Sequence, residues 1–233
     1  AKLLLTIERA LEADKLQQEN IGLRRHSQHV IEPTGKSAVM QRLREQIKRI
    51  AQHDTWVLIN GEPGAGRETF ARYLHAQSVR RDRPFIDMAV SSIAQGNSAQ
   101  ELFGSEQGEQ THYGALEQAR GGTLFLDEVA DMDLEAQAQL LGALDSGSFM
   151  RVGGAEPVPI DVRIIAATQR NLEQEVQAGN FREDLFYHLN VVPLNIPPLR
   201  EHREDVPELL NYYVDHYVSH EKLPYRRFDM QSQ

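Results

Sequence analysis

Nine residues, Gly61-Glu62-Pro63-Gly64-Ala65-Gly66-Arg67-Glu68-Thr69, carry the glycine spacing of a phosphate-binding loop. Such a loop turns backbone N–H groups inward on phosphate oxygens, and the helix that follows adds its positive end. A lysine ordinarily follows the last glycine; here the residue is Arg67. Guanidinium is planar, bulkier and fork-shaped, whereas ammonium is a compact point charge. The exchange is expected to keep the attraction for phosphate and to lose the aim at the β/γ bridge. Glycines at a strand-to-helix turn are as often a plain turn as a site, so this loop alone leaves function open.

A second group is "TLFLDE", residues 123–128. Asp127 and Glu128 stand at the carboxyl end of an apolar strand, where open α/β sheets bind ligands. Asp127 suits a magnesium ion, directly or through water, and Glu128 the polarising of an attacking water. The bland alternative is a strand that simply ends in polar residues. Loop and carboxylates together, in this order, make that alternative hard to sustain.

These groups need a scaffold. Residues 37–52 predict a helix with Met40, Leu43, Ile47 and Ile50 on one face. "TWVLIN" predicts a short buried strand that runs straight into the loop, and "ETFARYLHAQSVR" the helix after it. "PFIDMAV", "GGTLFLDE" and "VRIIAAT" predict three further strands, and "LEAQAQLLGALDSG" a helix closed by Gly147. Continuous apolar strands alternating with helices predict an α/β fold, a parallel sheet covered on both faces. Leu4, Ile7, Leu11, Leu16 and Leu23 predict one long amphipathic linker helix over residues 1–25, broken by Pro33 and Gly35. Tyr212, Tyr213 and Tyr217 fall on one side of a helix and are expected in a core.

Composition narrows the class. The 233 residues are 40% hydrophobic and 25% charged, as in a soluble globular protein. There is no cysteine, hence no disulfide framework or thiolate metal site, and the nine histidines lack ligand spacing. No apolar run reaches membrane-spanning length and no signal peptide is visible, so a cytoplasmic setting is expected. A net charge of −9 disfavours non-specific nucleic-acid binding, which places any DNA contact outside this stretch. An uncapped helical start and the polar end "FDMQSQ" are expected of a fragment of a longer protein.

The stretches "GEPGAGRETFARYLH", "ELFGSEQG", "GALEQARGGTLFLDEVADM", "SFMRVGGAEPVPIDVRIIAATQRNL" and "FREDLFYHLNVVPLNIPPLREHREDVPEL" are jointly specific. Through them the chain resembles the AAA+ domain of bacterial enhancer-binding proteins, the ATPases that activate sigma-54 RNA polymerase. The resemblance runs from about residue 34 to 210. It implies a P-loop three-layer sandwich over 34–204, the end of a receiver domain and its linker helix over 1–33, and the start of a helical lid over 205–233. It implies a two-component response regulator of the nitrogen-regulation type. Its partners would be a sensor histidine kinase through an N-terminal receiver, DNA through a C-terminal domain, and copies of itself in a dimer or ring. No membrane partner is implied.

The resemblance also implies ATP or ADP with magnesium, held by Gly61, Glu62, Gly64, Ala65, Gly66, Arg67, Glu68 and Thr69. Asp127 would take the metal and Glu128 would activate water. Thr168 and Gln169 fall at a sensor position where the family has asparagine in place of Gln169. Arg182 in "FRED" would reach a neighbouring subunit's nucleotide. The departures are many. Arg67 replaces the lysine, Ala89 replaces an asparagine that restrains the glutamate, and His188 replaces a second interface arginine. Where the family presents a mobile GAFTGA loop to sigma-54, this chain has only "EQTHY", residues 109–113. Three readings follow: an ATP-binding module impaired in hydrolysis and unable to contact sigma-54; an active ATPase driving sigma-54 promoters; or a nucleotide-free scaffold. The departures favour the first and third. Retention of Asp127, Glu128 and Arg182 favours the first over the third.

Overall fold

The computed structural model describes residues 32–221, apart from 95 and 109. The linker helix expected over residues 1–25 lies outside the described residues. Helix α1 spans Ala38–Ala51 and buries Met40, Leu43, Ile47 and Ala51. Ser37 caps it, its hydroxyl accepting from Met40 N, and Lys48 and Arg49 sit in the last turn where the helix dipole favours cations. Strand β1, Val57–Asn60, leads through the glycine loop into α2, Arg67–Ala76. There follow β2, Phe85–Ala89, and α3, Ser98–Phe103. A short hairpin, β3 Ser105–Gln107 and β4 Gln110–His112, precedes α4, Ala115–Gln118. Next come β5, Thr123–Asp127, and α5, Leu134–Ser146, which ends at Gly147. A second hairpin pairs β6, Ser148–Met150, with β7, Pro157–Pro159. Then come β8 Arg163–Thr168, α6 Leu172–Gln177, α7 Glu183–Leu189, β9 Pro193–Asn195 and α8 Val206–Glu221.

The main sheet has five parallel strands in the order β2-β5-β8-β1-β9. Its centre is dry: all six residues of β8 are buried. Alternate residues of each strand feed opposite layers. Leu58, Leu124, Leu126, Ile164 and Ala166 pack with α4, α5 and α7 on one face. Val57, Ile59, Phe125, Ile165 and Ala167 pack with α1 and α2 on the other. The parallel sheet covered on both faces, expected from the apolar strands, is what the chain forms. Among the described residues no helix is long and apolar enough to cross a membrane.

Three local expectations fail, each for a physical reason. The fifth strand, β9, was hidden by Pro193 in "VVPLN". Proline is tolerated there because β9 is an edge strand that pairs only with β1, and Pro193 is its first residue. The helix expected to run to Arg80 stops at Ala76. There the hydroxyl of Ser78 bonds back to His75 O at 2.7 Å and accepts Arg80 N at 3.1 Å, a local turn that competes with the helix. Tyr213 and Tyr217, expected in a core, are 53% and 49% exposed and stack on one another.

Candidate functional site

The strand-loop-helix unit places the glycine loop at the carboxyl end of β1, beside the carboxyl ends of β5 and β8. Gly61 N donates to Thr168 O at 3.2 Å, which fixes the root of the loop to β8. Gly64 and Gly66 take φ of 80° and 87°, left-handed values that favour glycine and turn the chain into α2. Gly61 has a different reason to lack a side chain. A Cβ there would meet Ile196 at 3.2 Å and the Arg67 stem at 3.3 Å. Ala65 N donates to Glu62 O. The amides of Gly64, Gly66, Arg67, Glu68 and Thr69 have no acceptor among the described residues. Unpaired N–H groups converging at a helix start are what an anionic oxygen needs.

Arg67 does not extend freely from this loop. Its Nη1 donates to Gly61 O at 2.8 Å. Its Nη2 bonds Glu128 Oε1 and lies 3.2 Å from Asp127 Oδ1. The second oxygen of Glu128, Oε2, accepts the backbone N–H of Gln169 at 3.2 Å. Both oxygens of the expected water-activating carboxylate are therefore engaged. Glu128 is buried, 8% exposed, and has φ 54° and ψ 52°. Among the described residues it is the non-glycine with positive φ, a conformation that costs about 1–3 kcal/mol and persists where the surroundings enforce it. Asp127 Oδ1 also accepts Glu128 N at 3.1 Å. Burial raises the Asp127 pKa, the Arg67 guanidinium opposes that, and the Glu128 charge adds to it.

The structure thus brings Gly61, Gly64, Ala65, Gly66, Arg67, Asp127, Glu128 and the backbone of Gln169 together. The Gln169 side chain is exposed, and it is its amide that participates. Glu68 turns outward and accepts Arg72 Nε at 2.7 Å. Glu62 is gripped at both oxygens by Arg200, at 2.7 and 2.6 Å. Arg182 takes no part in this cluster. Its guanidinium grips Asp184 bidentately at 3.0 and 2.7 Å and is 41% exposed. Its backbone is set by the buried Gln137, whose Oε1 accepts Arg182 N at 2.8 Å while its Nε2 donates to Met132 O and Asn180 O. His188 faces Asp145 at 3.3 Å.

Sequence reasoning missed several residues. Asp87 sits in β2, next to the site, 3.4 Å from Arg72. Burial, then the nearby Glu68 charge, push its pKa up to about 6. A carboxylate inside an apolar strand was the available signal. Asp205 accepts from Lys36 N at 2.7 Å, Ser37 N at 2.8 Å and pairs with His202 Nδ1 at 2.9 Å. That pin joins the start of α1 to the start of α8, and nothing in the local sequence pairs residues so far apart.

The region of "EQTHY" is also specific. Ser105 pairs with His112, Glu106 with Thr111 and Gln107 with Gln110, so the chain turns back directly after Gln107. A Cβ on Gly104 would lie 2.3 Å from His112 O, which shows how tightly the base closes. The hairpin is tied to the segment just after β6: Glu106 N donates to Val152 O and Val152 N to Gly104 O, both at 2.9 Å. Arg151 grips Glu117 at 2.7 Å through Nε and Nη2, bonds Glu106 through Nη1, and lies over the Tyr113 ring.

Residues 34–195 match the family described as the sigma-54 interaction domain. The nitrogen assimilation regulatory protein NtrX of Azorhizobium caulinodans is 45% identical over 217 residues, 92% of this chain and 47% of that protein. The DNA-binding transcriptional regulator NtrC of Escherichia coli strain K12 is 46% identical over 215 residues, 89% of this chain and 45% of that protein. The chain therefore spans about half the length of the curated relatives it matches. NtrX from Brucella abortus in complex with ADP superposes with a TM-score of 0.82 at 42% identity, over 98% of this chain and 52% of that one. The same protein in complex with ATP gives a TM-score of 0.82 at 41% identity, over 98% of this chain and 50% of that one.

Proposed function

The chain belongs to the family of sigma-54 interaction domains, and on that premise we propose that it is the ATP- or ADP-binding AAA+ domain of an NtrX/NtrC-type transcriptional regulator, impaired in hydrolysis and unable to activate sigma-54 polymerase. The unpaired amides of Gly64, Gly66, Arg67, Glu68 and Thr69 are the phosphate cradle, as the ADP and ATP complexes of NtrX from Brucella abortus support. The observation that carries the impaired hydrolysis is the placement of Arg67. Its guanidinium and the Gln169 amide hold both oxygens of Glu128, the residue that would polarise water. A carboxylate bonded at both oxygens is a poor base, and Ala89 offers no side-chain amide to take over its restraint.

Loss of sigma-54 contact rests on the β3–β4 hairpin. A residue advances the chain by about 3.3–3.6 Å at most, and a hairpin must go out and come back. Three residues a side, bonded to each other and at their base to Val152, leave nothing to reach a partner. The regulator would instead act through DNA binding, with a histidine kinase setting its receiver and nucleotide favouring homo-oligomers. Arg182 is exposed at the surface, as a residue meeting a neighbouring subunit must be.

Turnover and promoter opening test this reading. Arg67→Lys should release Glu128 and raise ATP turnover by about ten-fold or more, about 1.4 kcal/mol of barrier. Fast wild-type hydrolysis, unchanged by the substitution, refutes it. So does ATP-dependent open-complex formation at a sigma-54 promoter by the intact regulator.

A further inference from the structure

We infer that Asp87 is the adjustable charge of the nucleotide site: it takes up a proton from solvent as phosphate settles on the amide cradle, and it weakens binding when it is ionised. This rests on the nucleotide-binding reading and deepens it. Beside the cradle, two guanidiniums are shared among four carboxylates. Arg67 lies between Asp127 and Glu128. Arg72 lies between Glu68, at 2.7 Å, and Asp87, at 3.4 Å. The group is negative before any phosphate arrives, and a phosphate adds more negative charge. A proton on one carboxyl relieves part of that repulsion.

Asp87 is the carboxyl placed to take it. Both oxygens of Glu128 are bonded. Asp127 accepts Glu128 N and faces Arg67, and Glu68 accepts Arg72 Nε at 2.7 Å. Asp87 has the loosest hold, the 3.4 Å contact with Arg72. Its register partner on β5 is Phe125, and Ala89 is the partner of Asp127. Alternate residues share a face, so Asp87 and Asp127 lie on the same side of the sheet. Strands about 4.8 Å apart that rise about 3.3 Å per residue put the two backbones about 8 Å apart, close enough to repel and too far to share a hydrogen bond. The charged groups facing Asp87 are Glu68 and Arg72 on α2 and Asp127 on β5. Burial first, then the Glu68 charge, push its pKa up to about 6, and the hydrogen bond between the Asp87 and Glu68 carboxyls works in the same direction, since it needs a proton. A phosphate on the Glu68 amide brings one more like charge and raises the pKa again. The gain in affinity is then full below about pH 6 and is lost as pH rises through the higher pKa of the complex. The side chain is 32% exposed, so solvent screening limits the effect to about three- to ten-fold.

The test is calorimetric titration of the intact protein with ADP in EDTA, so that the phosphates enter without a divalent ion. Buffers of different ionisation heat at pH 6.5 give the protons taken up, and Kd is followed from pH 6 to pH 8. The wild type should take up about 0.3 proton more than Asp87→Asn, and its Kd should rise about three-fold more over that range. The nucleotide's own phosphate ionisation is common to both proteins and cancels. Glu68→Gln keeps Asp87 and removes the carboxyl that shares its proton, so the uptake maximum should move to lower pH. Equal uptake and parallel Kd profiles in wild type and Asp87→Asn overturn the inference and leave the nucleotide reading intact. An uptake maximum unmoved by Glu68→Gln overturns the pairing. No ADP binding in EDTA overturns the inference, and if binding is also absent in excess magnesium chloride the nucleotide reading falls with it.

Discussion

Replacing Arg67 with alanine removes the counter-charge of two carboxylates at once. Glu128 is 8% exposed and keeps only the Gln169 amide for company. Deleting one partner of a buried ion pair typically costs about 3–5 kcal/mol, because the surviving charge is left in a place that water cannot reach. Asp127 softens the loss, since its side chain is 30% exposed and water can take over there. The lower end, ~3 kcal/mol, is therefore expected for Arg67→Ala. For a domain of this size that lowers Tm by about 6–12 °C. Glu128→Gln removes the stranded charge, so the double variant should be more stable than the sum of the single effects, with a coupling of about 1–2 kcal/mol. Urea unfolding of the four proteins measures the cycle. The penalty of Arg67→Ala should also shrink as pH falls and Asp127, whose pKa burial raises, takes up a proton. An Arg67→Ala protein within about 0.5 kcal/mol of wild type, or strictly additive variants, would show that the guanidinium is not the partner of Glu128.

Three further outcomes are expected. A Cβ on Gly122 would lie 2.0 Å from Pro84 O, so Gly122→Ala should cost about 2 kcal/mol or more in thermal unfolding; an unchanged Tm refutes that approach. Burial pushes the His75 pKa down from 6.5 to about 4. The unfolded chain then binds the proton first, so stability is full above pH 6.5 and is lost as pH falls toward about 4. His75→Leu should flatten that part of the urea midpoint profile. Arg151→Ala should speed proteolysis within residues 105–114 while the sheet core stays resistant, because Arg151 joins both hairpins to α4; an unchanged cleavage pattern would assign that role to the backbone bonds alone.

The main sheet was legible because its central strands are buried on both faces and therefore read as unbroken apolar runs. β9 was not, since an edge strand tolerates Pro193 and gives no such run. The loop glycines and the Asp127-Glu128 pair were legible as residue types at a spacing. What could not be read was where the Arg67 side chain goes. A sequence names a cation after the last glycine, but only the packing shows it bonded to Gly61 O and to two carboxylates about sixty residues away. The same holds for Asp205, whose partners at Lys36 and Ser37 lie at the other end of the domain. Local pattern carries periodicity and turn chemistry, whereas ion pairs between distant elements carry no pattern at all. The role of Arg182 was read by resemblance, and within one subunit its guanidinium is bonded to Asp184.

The strand order has a consequence for how this chain is made. β1 sits between β8 and β9, and Val57 pairs with Ile165 while Leu58 pairs with Pro193. Both neighbours are more than a hundred residues downstream of the strand they enclose. At roughly 5–20 residues per second of synthesis, an apolar strand that belongs inside the sheet waits on the order of 5–20 s beyond the ribosome before either edge can be covered. β2 and β5 can pair earlier, but that pair lacks the strand that joins it to β1. The nascent domain therefore passes through a stage in which Val57, Leu58 and Ile59 offer open hydrogen-bonding edges and apolar side chains to whatever is nearby. A chaperone that shields extended apolar segments would find a long-lived target in this domain at the strand that leads into the phosphate loop.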